Sequence, residues 1–275
     1  MPEGDTIFRA ARTLKRALAG EIVTQFETVL PHLQRVHDDS PIIGRTIEDV
    51  SSAGKWLLMR FSGDLILLTH MLMSGSWHIY RPGERWWHPR NDMRIVIATD
   101  KFEAVAFKVP VAEFHTAASL ARRPGFNQLG PDVLAETFDE QHAIANLRAQ
   151  PQMQVADALL RQDVIAGLGN VYKSEVCFAC RVDPFRKVAT LTEGEIGCLI
   201  STARKFMKAN VSDTSIGQIA TYTGLRRTTR RADPAERLWV YGRRGEPCRR
   251  CGTPIESRKQ GREARVTFRC PACQT

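Results

Sequence analysis

Four cysteines near the C-terminal end, Cys248-x2-Cys251-x18-Cys270-x2-Cys273, constrain this chain more than any other feature. Each Cys-x2-Cys turn offers two thiolates, and two such turns joined by a hairpin complete the tetrahedral sulfur set that Zn²⁺ prefers. The spacing predicts one structural zinc ion. Four thiolates leave no open coordination position, so the metal folds the hairpin and takes no part in catalysis. Between the pairs, residues Ile255–Phe268 carry Arg258, Lys259, Arg262 and Arg265, which predicts a hairpin with a basic tip. Three further cysteines, Cys177, Cys180 and Cys198, lie in apolar helical sequence with no fourth knuckle beside them, and read as buried packing thiols.

The charge gathers in the same region. The formal net charge is +9, and residues 226–275 hold fourteen Lys/Arg against five Asp/Glu, so the rest of the chain sums to zero. A basic segment on a neutral body points to a polyanionic partner, nucleic acid first and a membrane surface second. A composition of 43% hydrophobic and 25% charged residues without biased tracts excludes a disordered or fibrous chain. The acidic start MPEGD is followed by no apolar core of a signal peptide, and Leu65–Met73 is far short of a membrane span. The expectation is a soluble cytoplasmic protein, nucleoid-associated if bacterial, whose reduced thiols favour metal over disulfide.

Hydrophobic periodicity divides the chain into a β part and an α part. Thr6–Leu18 reads as an amphipathic helix capped by Asp5 or Thr6 and stopped by Gly20. Short strand-like runs follow at Ile22–Thr28, Trp56–Phe61, Leu65–His70, Ser76–Tyr80, Met93–Ala98 and Ala104–Val109, with turns such as Ser62-Gly63-Asp64 between them. After about Glu113 the pattern turns helical, until roughly Ala220. Capping boxes are read at Thr137-x2-Glu140 and Thr192-x2-Glu195, and helices at Met153–Arg161 and Val171–Cys180. An Arg-rich loop, Leu225–Arg237, leads to the cysteine module. The fold class expected is α+β: a β-sandwich with a long N-terminal helix over 1–115, a helical domain over 125–220, and a zinc hairpin over 238–275.

Two segments carry chemistry. Gly167-Leu168-Gly169-Asn170 precedes a helix, where backbone N–H groups and the helix dipole favour an anion; Asn170 either caps that helix or reaches the anion. At the front, removal of Met1 before proline leaves Pro2 as a secondary amine. Such an amine is partly neutral near pH 7–8 and attacks an aldehyde-type carbon to give a cationic iminium. Glu3 beside it supplies an acid or base.

Met1-Pro2-Glu3-Gly4-Asp5-Thr6, Gly54-Lys55, His70-Met71-Leu72-Met73-Ser74-Gly75, Leu129-Gly130-Pro131-Asp132, Gly167-Leu168-Gly169-Asn170-Val171-Tyr172-x2-Glu175 and Tyr241-Gly242-Arg243-x-Gly245-x-Pro247-Cys248 through Cys273-Gln274 follow in order. This ordered set resembles the formamidopyrimidine-DNA glycosylase / endonuclease VIII family of bifunctional base-excision repair enzymes, and spans the whole chain. The resemblance implies a helix–two-turn–helix DNA-binding domain between the sandwich and the zinc hairpin. It implies Pro2 as the nucleophile that displaces a damaged base at the sugar C1′ and forms a Schiff base, and Glu3 as the carboxylate that protonates the ring oxygen. Lys55 then faces the reacting sugar and its phosphates, while His70, Asn170 and Arg265 contact the DNA backbone. Met73 matches a void-filling methionine. Strand cleavage follows by β,δ-elimination, the partner is damaged DNA, a flipped nucleotide in bent duplex or single strand, and the only cofactor is one structural Zn²⁺. No membrane is involved, and a monomer is expected.

Two departures bear on the substrate. The opening Pro-Glu-Gly-Asp-Thr and the Leu225–Arg237 loop resemble the endonuclease VIII branch, which favours oxidised pyrimidines. His70–Gly75 resembles the branch that favours 8-oxoguanine and opened purines, yet no Arg-x-Phe wedge occurs around Lys101–Val109. Pyrimidine lesions are therefore expected first. The alternatives are the same chemistry on 8-oxoguanine and formamidopyrimidines, or a non-catalytic DNA-binding relative.

Overall fold

In the computed structural model, residues 2–211, 226–229 and 236–275 are described. They fall into two compact units, 2–127 and 128–211 together with the later residues.

The first unit opens with α1 (Gly4–Leu18), whose Ile7, Ala10, Ala11, Leu14, Ala17 and Leu18 are buried at helical spacing. The N-cap is Glu3, not Asp5 or Thr6: its carbonyl accepts the N–H groups of Thr6 and Ile7, so the helix starts two residues before the periodic pattern does. Two four-stranded antiparallel sheets follow. One contains, in spatial order, β1 (Gln25–Thr28), β6 (Met93–Ala98), β7 (Glu103–Phe107) and β5 (Ser76–Tyr80). The other runs β2 (Ile47–Ala53), β3 (Trp56–Phe61), β4 (Leu65–His70) and β8 (Val111–His115). Leu57, Met59 and Leu67 of one sheet meet Trp77, Ile95 and Ile97 of the other in a core that α1 closes. This is the expected sandwich.

Beyond β8, which follows the last expected strand, two elements of this unit lie outside the expected set. β2 carries only two buried apolar side chains, Ile47 and Val50, among polar residues, and owes its strand form to pairing with β3 and to cover from α1. A short helix α2 (Pro31–Asp39), with proline in its first turn, occupies sequence without an apolar stripe beyond Leu33. The four-residue α3 (Ala117–Leu120) ends the unit.

The second unit contains α4 (Glu140–Arg148), α5 (Val155–Leu160), α6 (Asn170–Ala179), α7 (Glu193–Val211) and a hairpin of β9 (Glu256–Gln260) and β10 (Arg265–Arg269). The Thr192–Glu195 box forms reciprocally, with the Thr192 N–H donating to the Glu195 carboxylate and the Glu195 N–H to the Thr192 hydroxyl. The Thr137 box does not form. Asp139 caps α4 instead, its carboxylate accepting the His142 N–H at 2.8 Å, because an aspartate adjacent to the first turn reaches the backbone that Thr137 cannot. The expected continuation of α7 to Ala220 lies outside the described residues.

The cysteine reading needs one correction. Cys180, at the end of α6, is disulfide-bonded to Cys198 in α7, with Cα atoms 5.9 Å apart. Cys177 alone of the three is a free buried thiol, and burial pushes it up to about 12. Periodicity marks each cysteine as inward-facing. It does not say that the two helices bring 180 and 198 to the same place.

Candidate active site

The position of Pro2 and Glu3 follows from two lengths. The Lys15 ammonium near the end of α1 pairs with Asp49 near the start of β2 at 2.6 Å, and the Gly20 N–H donates to the Ile47 carbonyl. Helix and strand therefore run antiparallel in contact. Twelve residues of helix back from Lys15 to Glu3 cover about 18 Å. Six residues of strand forward from Asp49 to Lys55 cover about 20 Å. Glu3 and Lys55 thus arrive at the same end of the sandwich.

Lys55 sits in the two-residue turn between β2 and β3, where Ala53 pairs with Trp56 and Gly54 takes the positive φ of 59° that such a turn requires. Trp56 pairs in turn with His70 at the end of β4. The next residues, 71–75, form the loop into β5. Pro2, Glu3, Lys55, His70 and Met73 consequently share one end of one unit, although they span seventy residues of sequence. Glu3 is fully buried there.

His70 is held on several sides. The Leu72 N–H donates to its Nδ1 at 3.1 Å, and the Trp56 ring meets it edge-on at 4.7 Å. The Arg123 guanidinium lies 4.1 Å over Trp56 and is itself fixed by a two-pronged pair with Glu113, at 2.7 and 2.9 Å. Burial, reinforced by the charges of Lys55 and Arg123, pushes the His70 imidazole down to about 4. It is neutral at pH 7, and because Nδ1 accepts, its proton is on Nε2. The side chain offers a fixed neutral donor.

The 71–75 loop presents Leu72 and Met73, 48% and 61% exposed, while Met71 beside them is buried. Leu72 holds φ at 44°, a left-handed value that a leucine occupies at a cost. Gly75 closes the loop where a Cβ would lie 2.7 Å from the Met71 carbonyl oxygen. Leu72 is a residue that sequence reasoning missed, since an apolar residue after a strand looks like core. The connection from β7 to β8 is only Lys108-Val109-Pro110.

In the second unit, Gln162 shapes the glycine turn by donating to the Leu160 and Leu168 carbonyls and accepting the Gly167 N–H. Gly167 there has φ of 103°. Asn170 opens α6, and its amide donates to the Val266 carbonyl of β10 at 3.1 Å; the Ser174 hydroxyl, one turn on, accepts the Phe268 N–H. Asn170 and the strand that carries Arg265 are thus joined. Arg265 is 39% exposed and pairs with Glu263 at the hairpin tip.

Glu175 was legible only as a motif letter. Fully buried in α6, its carboxylate accepts the N–H groups of Trp239, Val240 and Tyr241 at 2.8–2.9 Å and the Thr228 hydroxyl. It ties the helix to the segment that enters the cysteine module. A glutamate in an apolar helix was the available signal. Of the Leu225–Arg237 loop, residues 225 and 230–235 lie outside the described residues, as does Met1.

The four sulfur atoms of Cys248, Cys251, Cys270 and Cys273 all lie within 4.8 Å of one another, with Cys248–Cys273 at 3.9 Å and Cys251–Cys270 at 3.5 Å. Thiolates about 2.3 Å from a tetrahedral ion stand about 3.8 Å apart. The donor set fits a metal ion.

A sandwich with a helix-borne N-terminal Pro-Glu, followed in the chain by a helical unit ending in a four-cysteine hairpin, defines a class that comparison with known proteins makes specific. Residues 1–110 match the formamidopyrimidine-DNA glycosylase N-terminal domain, and residues 129–221 match the H2TH domain of the same glycosylase. The chain belongs to the formamidopyrimidine-DNA glycosylase family. It is 39% identical to a probable endonuclease 8 2 of Streptomyces coelicolor, across all of this chain and 94% of that protein. It is 35% identical to the DNA-(apurinic or apyrimidinic site) lyase Nei2 of Mycolicibacterium smegmatis, across all of this chain and 99% of that one. A formamidopyrimidine-DNA glycosylase of Symbiobacterium thermophilum is 32% identical over this whole chain and 89% of its own length. The fold matches that of the Lactococcus lactis Fpg solved with abasic-site DNA, with a TM-score of 0.83 over the whole of both chains at 23% identity. No described helix is long and apolar enough to cross a membrane.

Proposed function

We propose that this chain is a bifunctional DNA glycosylase and abasic-site lyase of base excision repair that acts through Pro2. The observation that carries the reading is the convergence of Pro2, Glu3, Lys55 and His70 at one end of the sandwich. The Pro2 amine attacks C1′ of a flipped nucleotide, the bond from C1′ to the base breaks, and the base leaves with the electron pair. Glu3 delivers a proton to the ring oxygen as the ring opens, leaving an iminium between Pro2 and C1′. That cation acidifies the C2′–H, so loss of this proton to solvent expels the 3′ phosphate, and loss of the C4′ proton in a second elimination expels the 5′ phosphate. Water then releases Pro2.

In the first unit Lys55 and the Nε2–H of His70 hold phosphate oxygens beside the sugar, and in the second Asn170 and Arg265 contact phosphates of the DNA backbone. Leu72 and Met73 fill the space that the flipped nucleotide leaves. With only three residues between β7 and β8, that loop has no length for a second wedge, which supports oxidised pyrimidines as the favoured lesions. One Zn²⁺ held by the four cysteines supplies no chemistry to the reaction and stabilises the hairpin.

The test is borohydride reduction on abasic-site DNA after intact mass has established that Met1 is absent. A covalent adduct is expected with the wild type and none with Pro2→Gly. An equal yield from the variant, or no adduct from the processed wild type, overturns the reading.

A further inference from the structure

The loop from β5 to β6, residues 81–92, has no role in the reaction described above. It lies on the outer face of its sheet, where Trp86 packs against Phe107 at 5.6 Å and donates its indole N–H to Glu103, and His88 meets Phe107 at 4.8 Å. Trp87 meets the edge of this cluster, at His78 and Tyr80, but is left largely open to solvent. It is 77% exposed, the most exposed large apolar side chain among the described residues. Its backbone is nonetheless fixed, because its N–H donates to the Tyr80 hydroxyl at 3.2 Å and its neighbour Trp86 is anchored. An indole this exposed on an immobilised backbone returns little apolar burial to the fold beyond its edge contacts.

The same loop carries cations. Arg81 and Arg85 are exposed on the same loop, and Arg90, stacked 5.2 Å over Trp86, pairs with Glu27. Of the loop's two acids, Asp92 is paired with Lys108 and Glu84 accepts the Arg81 N–H. An exposed aromatic ring on a loop with exposed arginines is the composition that takes unpaired bases, with stacking from the ring and phosphate neutralisation from the cations.

The topology also places the loop well. Its return leg ends at Met93, which pairs with Phe107, and Phe107 pairs with Ser76. That is the end from which Leu72 and Met73 project. Trp87 lies over His78 and Tyr80, two to four residues along β5 from Ser76. The offset is about 7–13 Å, or two to four nucleotide steps at about 3.4 Å each.

We propose that Trp87, with Arg81 and Arg85, is a stacking site for an unpaired base of single-stranded DNA running on from the active-site end. The inference rests on the DNA-binding part of the reading above and adds a preference for substrates with unpaired bases near the lesion. Stacking is tolerant of base identity, so the preference is for strand state and not for sequence.

The test uses the full chain and undamaged oligonucleotides, one single-stranded 15-mer and its duplex, with affinity read by fluorescence anisotropy. Trp87→Ala is expected to weaken single-strand binding roughly 5- to 150-fold, equivalent to about 1–3 kcal/mol of stacking, and to change duplex binding less than twofold. Trp87→Phe retains most of the affinity. Arg81→Gln with Arg85→Gln lowers the single-strand salt slope by about 1.4 for two phosphates. Equal single-strand binding by Trp87→Ala, or equal losses for Ala and Phe, overturns the proposal, including the case in which the indole serves a protein partner. The readout needs no lesion and no catalysis, so failed borohydride trapping and failed stacking are separately visible.

Discussion

Glu175 shows how much one buried residue can organise. Three backbone N–H groups and a hydroxyl converge on its carboxylate, so Glu175→Ala strands several buried donors at once. Each costs about 1–3 kcal/mol, so urea unfolding should show a lower midpoint and an unfolding free energy reduced by about 3 kcal/mol or more. An unchanged midpoint would mean that water replaces the carboxylate. The four cysteines were legible from their spacing alone, whereas Pro2, Glu3 and Lys55 stood out as candidates only once the ordered family motifs were read together. Glu175 and Leu72 were not, because what distinguishes them is a set of partners or a left-handed φ, and neither leaves a local pattern. His70 stood between these cases. Its place was legible, but its neutral state depends on Lys55, on burial and on an arginine fifty-three residues away.

At the scale of elements, strands β3, β4, β5 and β6 occupy the residues that hydrophobic runs predict, since their own side chains drive their burial. β2 and α2 escaped because cover from α1 and from the sheet decides them. The same limit hid the α6–α7 disulfide, whose closed loop of 18 residues adds stability of about 3 kcal/mol by chain entropy. Reduction, or Cys198→Ser, is expected to lower the melting temperature by several degrees, and alkylation with mass analysis should show two additional thiols after reduction. If the reductant leaves both measurements unmoved, the two cysteines are not bridged in solution. Cys177 is expected to resist alkylation in the folded state either way, since burial holds its thiol protonated.

For the molecule as a whole, stability should decline on mild acidification. His70 and His78 are each held down to about 4, His78 by burial and by the His88 charge, while an unfolded imidazole titrates near 6.5. Between those values the unfolded chain binds more protons, so this stabilisation is complete above about pH 6.5 and is lost progressively as pH falls toward 4. Glu113, lowered to about 2 by Arg123, contributes in full above about pH 4.5 and loses that contribution progressively as pH falls from there toward 2. Melting temperatures from pH 7 to 4.5 should fall, and His78→Gln should flatten the slope; a flat wild-type profile would contradict the buried neutral histidines. The antiparallel match of α1 to β2 has a further consequence for how such a chain can diverge. Helix and strand together act as a ruler, and one residue gained or lost inside α1 moves Pro2 by about 1.5 Å and turns it by about 100°. Insertions and deletions should therefore be purged from residues 3–15 in descendants that keep the chemistry, even where substitutions accumulate freely.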